Sequence, residues 1–371
     1  GVSAYTYDGN NNVLTFSDPL SRTTTYTYDA HGNRLSATDA LAHTTTYTYY
    51  IDADRLGLLH TATDPRNNST TYDYNAQGDL TSVTDPLNQT QVYTYDLGGR
   101  KLTYNDARNH TWTYTYDNLN RLLTETDPRN GVTTYTYDLV GNLITQEDPN
   151  HKVTTYTYNE KDQLTSVTDP QGYVSSFTYD AVGNKLTETD GNLHTTTYGY
   201  DAANRLVTVT NPLNQTITYG YDNAGNRTTV TDALGHTTTT AYDKLNRPIT
   251  ITNPLNQVTT TTYDAVGNVL TVSDANNHTT TYTYTALNQL NIVTDARSGV
   301  VTYGYDAAGN RISLEDANHH ITGYAYNENN LLVRVNDPLN HASVHTYDAN
   351  GNRATTLDAN GHTTTYTYDE L

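Results

Sequence analysis

Three residue types recur in this sequence at spacings that could support chemistry: histidine, aspartate and tyrosine. Eight histidines, His43, His110, His194, His236, His278, His320, His341 and His362, each stand fifteen residues after a tyrosine of a recurring phrase. Imidazoles at a fixed interval could form a metal-binding or pH-sensing ladder, since histidine changes charge near neutrality and ligates cations. The same position is also filled by Gln89, Gln215, Gln257 and Lys152. A ligand role would not tolerate that exchange, and a polar residue leaving a turn would. Aspartate recurs at both turns of each repeat, as at Asp29, Asp39, Asp96, Asp106, Asp117 and Asp127. Stacked carboxylates could hold Ca²⁺, which takes several oxygen ligands. The pattern is not the glycine-aspartate nonapeptide of calcium-binding β-rolls, and aspartate in such turns bonds its own backbone. No cofactor and no metal is therefore expected, with Ca²⁺ the one alternative.

Tyrosine is the strongest signal, with 35 copies. Two readings compete: faces that stack on sugars, and cohesion of a sheet through aromatic cross-strand pairs. Cohesion is the reading adopted here. No catalytic arrangement stands out. Serine occurs without a G-x-S-x-G elbow, no H-E-x-x-H spacing is present, and the chain has no cysteine. An enzyme is not expected.

The elements that position these residues follow from the period. The second tyrosine of each phrase falls at Tyr7, Tyr28, Tyr49, Tyr74, Tyr95, Tyr116, Tyr137, Tyr158, Tyr179, Tyr200, Tyr221, Tyr242, Tyr263, Tyr284, Tyr305, Tyr326, Tyr347 and Tyr368. Every step is 21 residues except the one from Tyr49 to Tyr74, which is 25 and places a four-residue insertion near 50–60. All eighteen markers are tyrosine, whereas the position two residues earlier also admits Phe177, Thr240, Thr261 and His345. Strict alternation in TTTYTY is a strand signal, because residues two apart share a face. A second run rich in Leu, Val and Thr follows each marker, as in RLSAT at 34–38 and LTSVT at 80–84. No window carries the i, i+3, i+4, i+7 stripe of a helix. The spacing predicts two short strands per repeat in a single continuous array over 1–371, about eighteen repeats, with both ends inside a repeat. The missing methionine and the interrupted ends imply a stretch of a longer or processed chain.

The strands are joined by two turns of different sequence. The first reads D-x-x-G-N, as at Asp138 to Asn142, and its Gly or Asn position predicts positive φ. Asp162 and Ala53 depart from that rule. The second reads D-P-x-N or D-A-x-G, as at Asp85 to Asn88 and Asp232 to Gly235. Both have the length that joins antiparallel strands, so a meander advancing about 9.6 Å per repeat is expected rather than a β-solenoid coil advancing about 4.8 Å. The tyrosines are expected to form aromatic rows down the sheet. Their face is open: one register sets them with Arg and Thr, and a one-residue shift sets them with Leu and Val. The architecture is expected to rest on Tyr26, Tyr28, Gly32, Tyr93, Tyr95, Tyr135, Tyr137, Gly141, Tyr219, Tyr221, Gly225, Tyr303, Tyr305 and Gly309.

A net charge of −20 with no basic cluster argues against nucleic acid as a partner. No apolar run approaches the ~18 residues of a membrane-spanning helix.

The phrase Y-x-Y-D-x-x-G-N-R-L at Tyr26 to Leu35, with small changes at Tyr303 to Ile312, resembles the YD repeat of RHS-type proteins over essentially the whole chain. The resemblance implies an antiparallel meander winding into a spiral sheet. In that family such sheets form hollow shells around toxin cargo, and related repeats occur in large secreted or cell-surface proteins. Toxin-bearing members close the repeat region with a core segment cut by paired aspartates. No such segment is found here, because every Asp-Pro belongs to the periodic turn.

The resulting expectation is an all-β, non-enzymatic structural repeat protein, secreted or at a cell surface, building an extended shell or fibre. Its partners would be further repeats of the same or neighbouring chains, joined through exposed sheet edges. The alternatives are a segment of a toxin-encapsulating shell and a glycan-binding adhesin.

Overall fold

Alternating Thr and Tyr, punctuated by turn residues at a fixed interval, builds one element over and over. Each repeat is a six-residue strand, a five-residue turn, a five-residue strand and a second five-residue turn, as in Thr23–Tyr28, residues 29–33, Arg34–Thr38 and residues 39–43. The computed structural model describes residues 2–370 and contains 35 strands in one sheet. There is no helix among the described residues. Strands consecutive in sequence pair antiparallel, as Thr23–Tyr28 does with Arg34–Thr38 and Arg34–Thr38 with Thr44–Tyr49. The chain is thus a meander, as the tight turns require.

The chain divides into two compact units. The first takes in Gly1–Trp112, Thr262–Val272 and His278–Leu371, and brings an early and a late stretch of the meander together. The second, Thr113–Thr261 with Ser273–Asn277, is a run of consecutive hairpins.

The pairing within each repeat resolves the question of face. Thr25 lies opposite Thr38, Tyr26 opposite Ala37 and Thr27 opposite Ser36, but Tyr28 lies opposite Arg34, so Leu35 is an extra residue in a β-bulge. The same shift recurs before Tyr116, Tyr137, Tyr158, Tyr179, Tyr221 and Tyr305. A bulge removes the forced choice of a regular register. The tyrosine face therefore holds the Arg34-type residue and the Ala37-type residue together, although they are three apart in sequence. In strand Thr44–Tyr49 the tyrosines are half-buried, and Thr46 and Thr48 are exposed on the opposite face. That face carries hydroxyl pairs across each hairpin, as in Thr48–Thr61 at 2.7 Å and Thr136–Thr145 at 2.6 Å. Cross-strand pairs of this kind contribute roughly 0.2–1 kcal/mol each.

No hydrophobic core exists among the described residues. The only buried side chains are polar, Asp106 at 5% exposed and His345 at 8%. The chain exposes 21974 Å², against about 14,700 Å² expected of a compact monomer of its mass. A sheet one layer thick has this property, and its cohesion must come from hydrogen bonds and half-buried contacts.

Both turns share one scaffold despite their different sequences. In the first, the Asp29 N–H donates to Asn33 O (2.9 Å) and the Gly32 N–H to Asp29 O (3.2 Å). In the second, the Asp85 N–H donates to Gln89 O (3.0 Å) and the Asn88 N–H to Asp85 O (2.9 Å). The fourth residue of each turn is left-handed, with φ of +85° at Gly32 and +62° at Asn88. Asp162, which departs from the Gly or Asn rule, adopts the same conformation with φ +59°. The insertion is absorbed in a first turn, where Tyr50 takes the aspartate's backbone role and its N–H donates to Leu58 O (2.9 Å). The Arg55 guanidinium and the Tyr50 hydroxyl then reach Asp73 Oδ1 at 2.8 and 3.1 Å, pinning the longer turn to the next hairpin.

Leu193 is the bulkiest residue in a left-handed turn position, with φ +67°. Such a backbone costs an L-residue roughly 1–2 kcal/mol, part of which glycine gives back through its freer unfolded chain. Leu193→Gly is expected to raise the urea midpoint, and Gly235→Leu, at φ +85°, to lower it by an amount corresponding to about 1–2 kcal/mol. Equal midpoints for both variants would remove left-handed strain as the reason for the Gly and Asn pattern.

Candidate functional site

The tyrosine face is the most elaborated surface of the repeat. The ladder between Arg34–Thr38 and Thr44–Tyr49 stops at Ser36 opposite Thr46, so the Arg34 carbonyl lies beyond it. The Tyr49 hydroxyl donates to that carbonyl at 3.0 Å. The same bond, always to the carbonyl fifteen residues earlier, is made by Tyr137 to Leu122 (2.9 Å), Tyr179 to Leu164 (2.9 Å), Tyr221 to Leu206 (2.7 Å), Tyr305 to Leu290 (2.8 Å) and Tyr347 to Leu332 (2.6 Å). Tyr200, Tyr242, Tyr284 and Tyr326 make it as well. Partial burial raises the phenols of Tyr137, Tyr284, Tyr305 and Tyr326 above their ordinary value, which keeps each a donor.

The expected unbroken aromatic rows are interleaved instead. A second strand separates consecutive tyrosine strands, and where its first residue is Arg or Lys that residue lays a cation over the rings. Arg34 lies 5.8 Å from the Tyr26 ring and 4.9 Å from Tyr47, Arg227 lies 5.4 Å from Tyr219, and Arg311 lies 5.9 Å from Tyr303 and 4.7 Å from Tyr324. Arg121 and Arg205 lie over the markers Tyr137 and Tyr221 at 4.9 and 4.8 Å. Rings stack directly where the second strand is itself aromatic: Tyr93 on Tyr104 at 5.2 Å, and Tyr104 on Trp112 at 5.3 Å. Of the other expected positions, Tyr28 and Tyr95 lie opposite the bulges at Arg34 and Lys101, and Tyr135 pairs with Gln146. Gly141, Gly225 and Gly309 take φ of +107°, +91° and +90° in first turns.

The turn aspartates and histidines turn out to be partners. Asp39 Oδ1 accepts the Leu41 and His43 N–H groups (2.8 and 2.9 Å), and its Oδ2 meets His43 Nδ1 at 3.2 Å. The His110–Asp106, His194–Asp190 and His236–Asp232 pairs repeat this at 3.0, 3.1 and 3.0 Å. In first turns Asn or Arg fills the same place, as in Asn33 Nδ2 to Asp29 Oδ2 (2.9 Å) and Arg121 Nε to Asp117 Oδ2 (2.6 Å). Where Asn opens the turn, the direction reverses: Asn211 Nδ2 donates to Gln215 Oε1 and Asn253 Nδ2 to Gln257 Oε1, at 2.8 and 2.7 Å. The correlated choice at positions four apart was present in the sequence, but reading each column by itself hid it. Among the described residues no group of three or more His, Cys, Asp or Glu is placed to hold a metal ion.

Within the first unit, second turns of the early stretch meet first turns of the late stretch. Asn329 Nδ2 donates to Asp85 Oδ2, and Asn350 Nδ2 to Asp106 Oδ2, both at 2.5 Å and both across 244 residues. Arg22 donates to Asn288 Oδ1 (2.7 Å), Arg66 to the Asn327 carbonyl (3.0 Å) and Arg108 to Asp348 Oδ2 (3.3 Å). Burial pushes the Asp106 carboxyl up, but hydrogen bonds from the His110 N–H, Asn350 and the Arg108 N–H outweigh it and hold it low. This seam leaves cavities of 320 and 220 Å³, the larger lined by Asp64, Asn68, Asp85 and Asn329.

Two outcomes test this chemistry. Tyr221→Phe is expected to cost about 1 kcal/mol by removing one hydroxyl-to-carbonyl bond, and Tyr219→Phe less than half as much; indistinguishable urea midpoints would dismiss the bond as the reason for the marker. Asp8, Asp29, Asp138, Asp180 and Asp222 are held below the usual carboxylate range, first by the side-chain amide of the asparagine four residues on. Asp190, Asp201, Asp232 and Asp243 are held low first by the backbone N–H four residues on. A depressed folded pKa contributes stability that is present above the unfolded value, about 3.9, and lost as pH falls through the folded value. Circular dichroism is expected to show a stable sheet above about pH 4 and progressive loss below it. A signal unchanged to strong acid would contradict the linkage.

A model of the RHS repeat matches residues 7–44, 179–216, 200–238, 221–258, 242–279, 263–300, 305–342 and 347–371, more than half of the chain. A model of the teneurin YD-shell matches residues 55–193. No curated protein sequence matches. Among solved structures, TcdB2-TccC3-Cdc42 superposes with a TM-score of 0.64 over 97% of this chain at 16% identity, covering 24% of that chain. TcdB2-TccC3 alone gives 0.64 over 98% at 16% identity, again covering 24%. The chain spans about a quarter of the length of these proteins, and at such identity the likeness is one of fold. The 21-residue meander, its Tyr-Asp phrase and the repeat-model matches along its length place the chain in the RHS-repeat family.

Proposed function

We propose that this chain is a stretch of wall in a secreted or surface-displayed protein shell, with a structural rather than an enzymatic role. The observation that carries the reading is the seam: after 244 residues the meander returns to bond its own earlier turns through Asn329–Asp85 and Asn350–Asp106. A one-layer sheet without a core, stitched turn to turn as it winds, is suited to bounding a space. The YD-shell model match and the TcdB2-TccC3 fold support the same reading. The RHS-type shells that the repeat resembles enclose toxin cargo, and we extend that role to the wall proposed here. The adhesin reading is less favoured, because guanidinium groups already cover faces of tyrosines such as Tyr47 and Tyr324 that a sugar would need.

Cryo-electron microscopy of the native assembly tests the proposal. Closed hollow particles with the meander in their wall are expected. Solid continuous fibres would overturn the shell and return the reading to a filament.

A further inference from the structure

Two carboxylates of the seam are held by side-chain amides, and a primary amide is a donor that hydrolysis turns into an acceptor. Asn329 and Asn350 occupy the third place of their first turns and donate to Asp85 and Asp106. Asparagine follows Asn329, whereas glycine follows Asn350. Glycine has no Cβ to keep its backbone nitrogen from the preceding side chain, so an Asn-Gly pair closes readily to a cyclic imide.

Asn350 meets the most buried carboxylate of the chain, Asp106, which is 5% exposed. Asp106 Oδ1 accepts the Arg108 and His110 N–H groups at 2.9 and 2.8 Å. Its Oδ2 meets His110 Nδ1 at 3.0 Å and accepts from Asn350 Nδ2 at 2.5 Å. A carboxylate at position 350 would face Asp106 where a donor now stands, and like charges so placed oppose each other's ionised forms.

The chain carries its own comparison in Asn360 and Gly361, the third and fourth residues of the turn at 358–362. Gly351 and Gly361 have φ of +82° and +84°, and each donates its N–H to the carbonyl that opens its turn at 3.1 Å. Asn350 and Asn360 are both exposed, and each donates its N–H to the opening carboxylate, at 3.0 and 2.9 Å. They differ at the side-chain amide. Asp106 holds that of Asn350, and no hydrogen bond among the described residues holds that of Asn360. In a third pair, Asn130 and Gly131, the glycine N–H donates to Asp127 Oδ1 at 2.7 Å, and that charge opposes loss of its proton.

We propose that Asn350 is a deamidation site whose conversion irreversibly releases this end of the seam. The Gly351 nitrogen, after losing its proton to hydroxide, attacks Asn350 Cγ. The Cγ–Nδ2 bond breaks and ammonia leaves with a proton from water. A second water opens the imide at either carbonyl, giving aspartate or isoaspartate, and nothing is oxidised or reduced. The bond to Asp106 holds the amide while the seam is closed, so the reaction follows a transient opening. The carboxylate it forms then opposes closure, which makes this contact a one-way latch. The inference goes beyond the shell reading and does not depend on what the wall encloses.

Peptide mass mapping of the 371-residue chain, incubated at mildly alkaline pH, tests it. Asn360 is expected to convert first and Asn350 at least about tenfold more slowly, the factor that one hydrogen bond to a carboxylate supplies. Asp106→Asn removes the charged acceptor and keeps a residue that opens second turns at Asn211 and Asn253; it is expected to bring Asn350 to the rate of Asn360. Asn350→Asp supplies the product directly. It is expected to leave the circular dichroism of the sheet unchanged and to speed hydrogen exchange in the turns at 106–110 and 348–352 at least about tenfold. Equal rates at Asn350 and Asn360 in the wild type, an Asn350 still intact when Asn360 is fully converted in the Asp106→Asn variant, or wild-type exchange in Asn350→Asp would each overturn the proposal.

Discussion

The structure depends on a hydrogen bond between a phenol and a carbonyl that the backbone ladder does not reach. A bulge that recurs from hairpin to hairpin sets residues such as Arg34 and Ala37 on one face, but it also ends the next ladder early, as at Ser36 opposite Thr46. The carbonyl beyond it would be left without a ladder partner, and the hydroxyl of the following marker tyrosine fills that place. Wherever this bond is made, a repeat completes the hydrogen bonding of the one before. Ten such bonds, at about 1 kcal/mol net each, amount to the whole net stability of an ordinary domain. Phenylalanine could supply the ring but not this bond, and it occurs at the earlier position, as Phe177, and not at a marker.

The turns supply the second constraint. A carboxylate opening the turn accepts two backbone N–H groups with one oxygen and offers the other to the side chain four residues on. Asn, Arg and His satisfy that oxygen equally well, and an Asn–Gln pair does the same with donor and acceptor exchanged. The backbone acceptor role of the opening residue persists even where the fourth residue on is glycine, as at Asp127 and Gly131, and where a side-chain pair closes the turn the chemical type of either member is free to change. The histidine column is therefore one solution to a turn.

Much of this was legible in the sequence, and the remainder shares a physical cause. The period, the two strands, both turns and the left-handed positions are local, and alternation, Asp-x-x-Gly-Asn and Asp-Pro-x-Asn express them directly. The face of the tyrosines was not legible, because a single extra residue such as Leu35 lets two registers hold at once. Unbroken aromatic rows were an over-reading: a second strand, most often without tyrosine, lies between the TTTYTY-type strands, and a cation such as Arg311 lies between Tyr303 and Tyr324. The seam was beyond reach for another reason. Nothing local distinguishes Asn329 from other turn residues until the chain returns to Asp85.

A sheet without a hydrophobic core among its described residues has a different economy from a globular domain. Hydrophobic burial normally ties distant parts of a chain together and makes the loss of one large side chain felt throughout. Here no large side chain is fully buried among the described residues, so a change in one repeat is felt by its neighbours and little further. That locality explains how Thr240, Thr261 and His345 stand in for tyrosine and how a longer turn fits between Tyr49 and Leu59. It also shifts specificity to the turns, the parts of the repeat that project from the sheet and vary from one copy to the next. Polar turns such as those of Asn329 and Asn350 recognise carboxylates, and apolar ones such as those of Leu234 and Val140 leave rows of exposed side chains. One strand chemistry thus holds the sheet together, while the turn residues decide what each rim can meet.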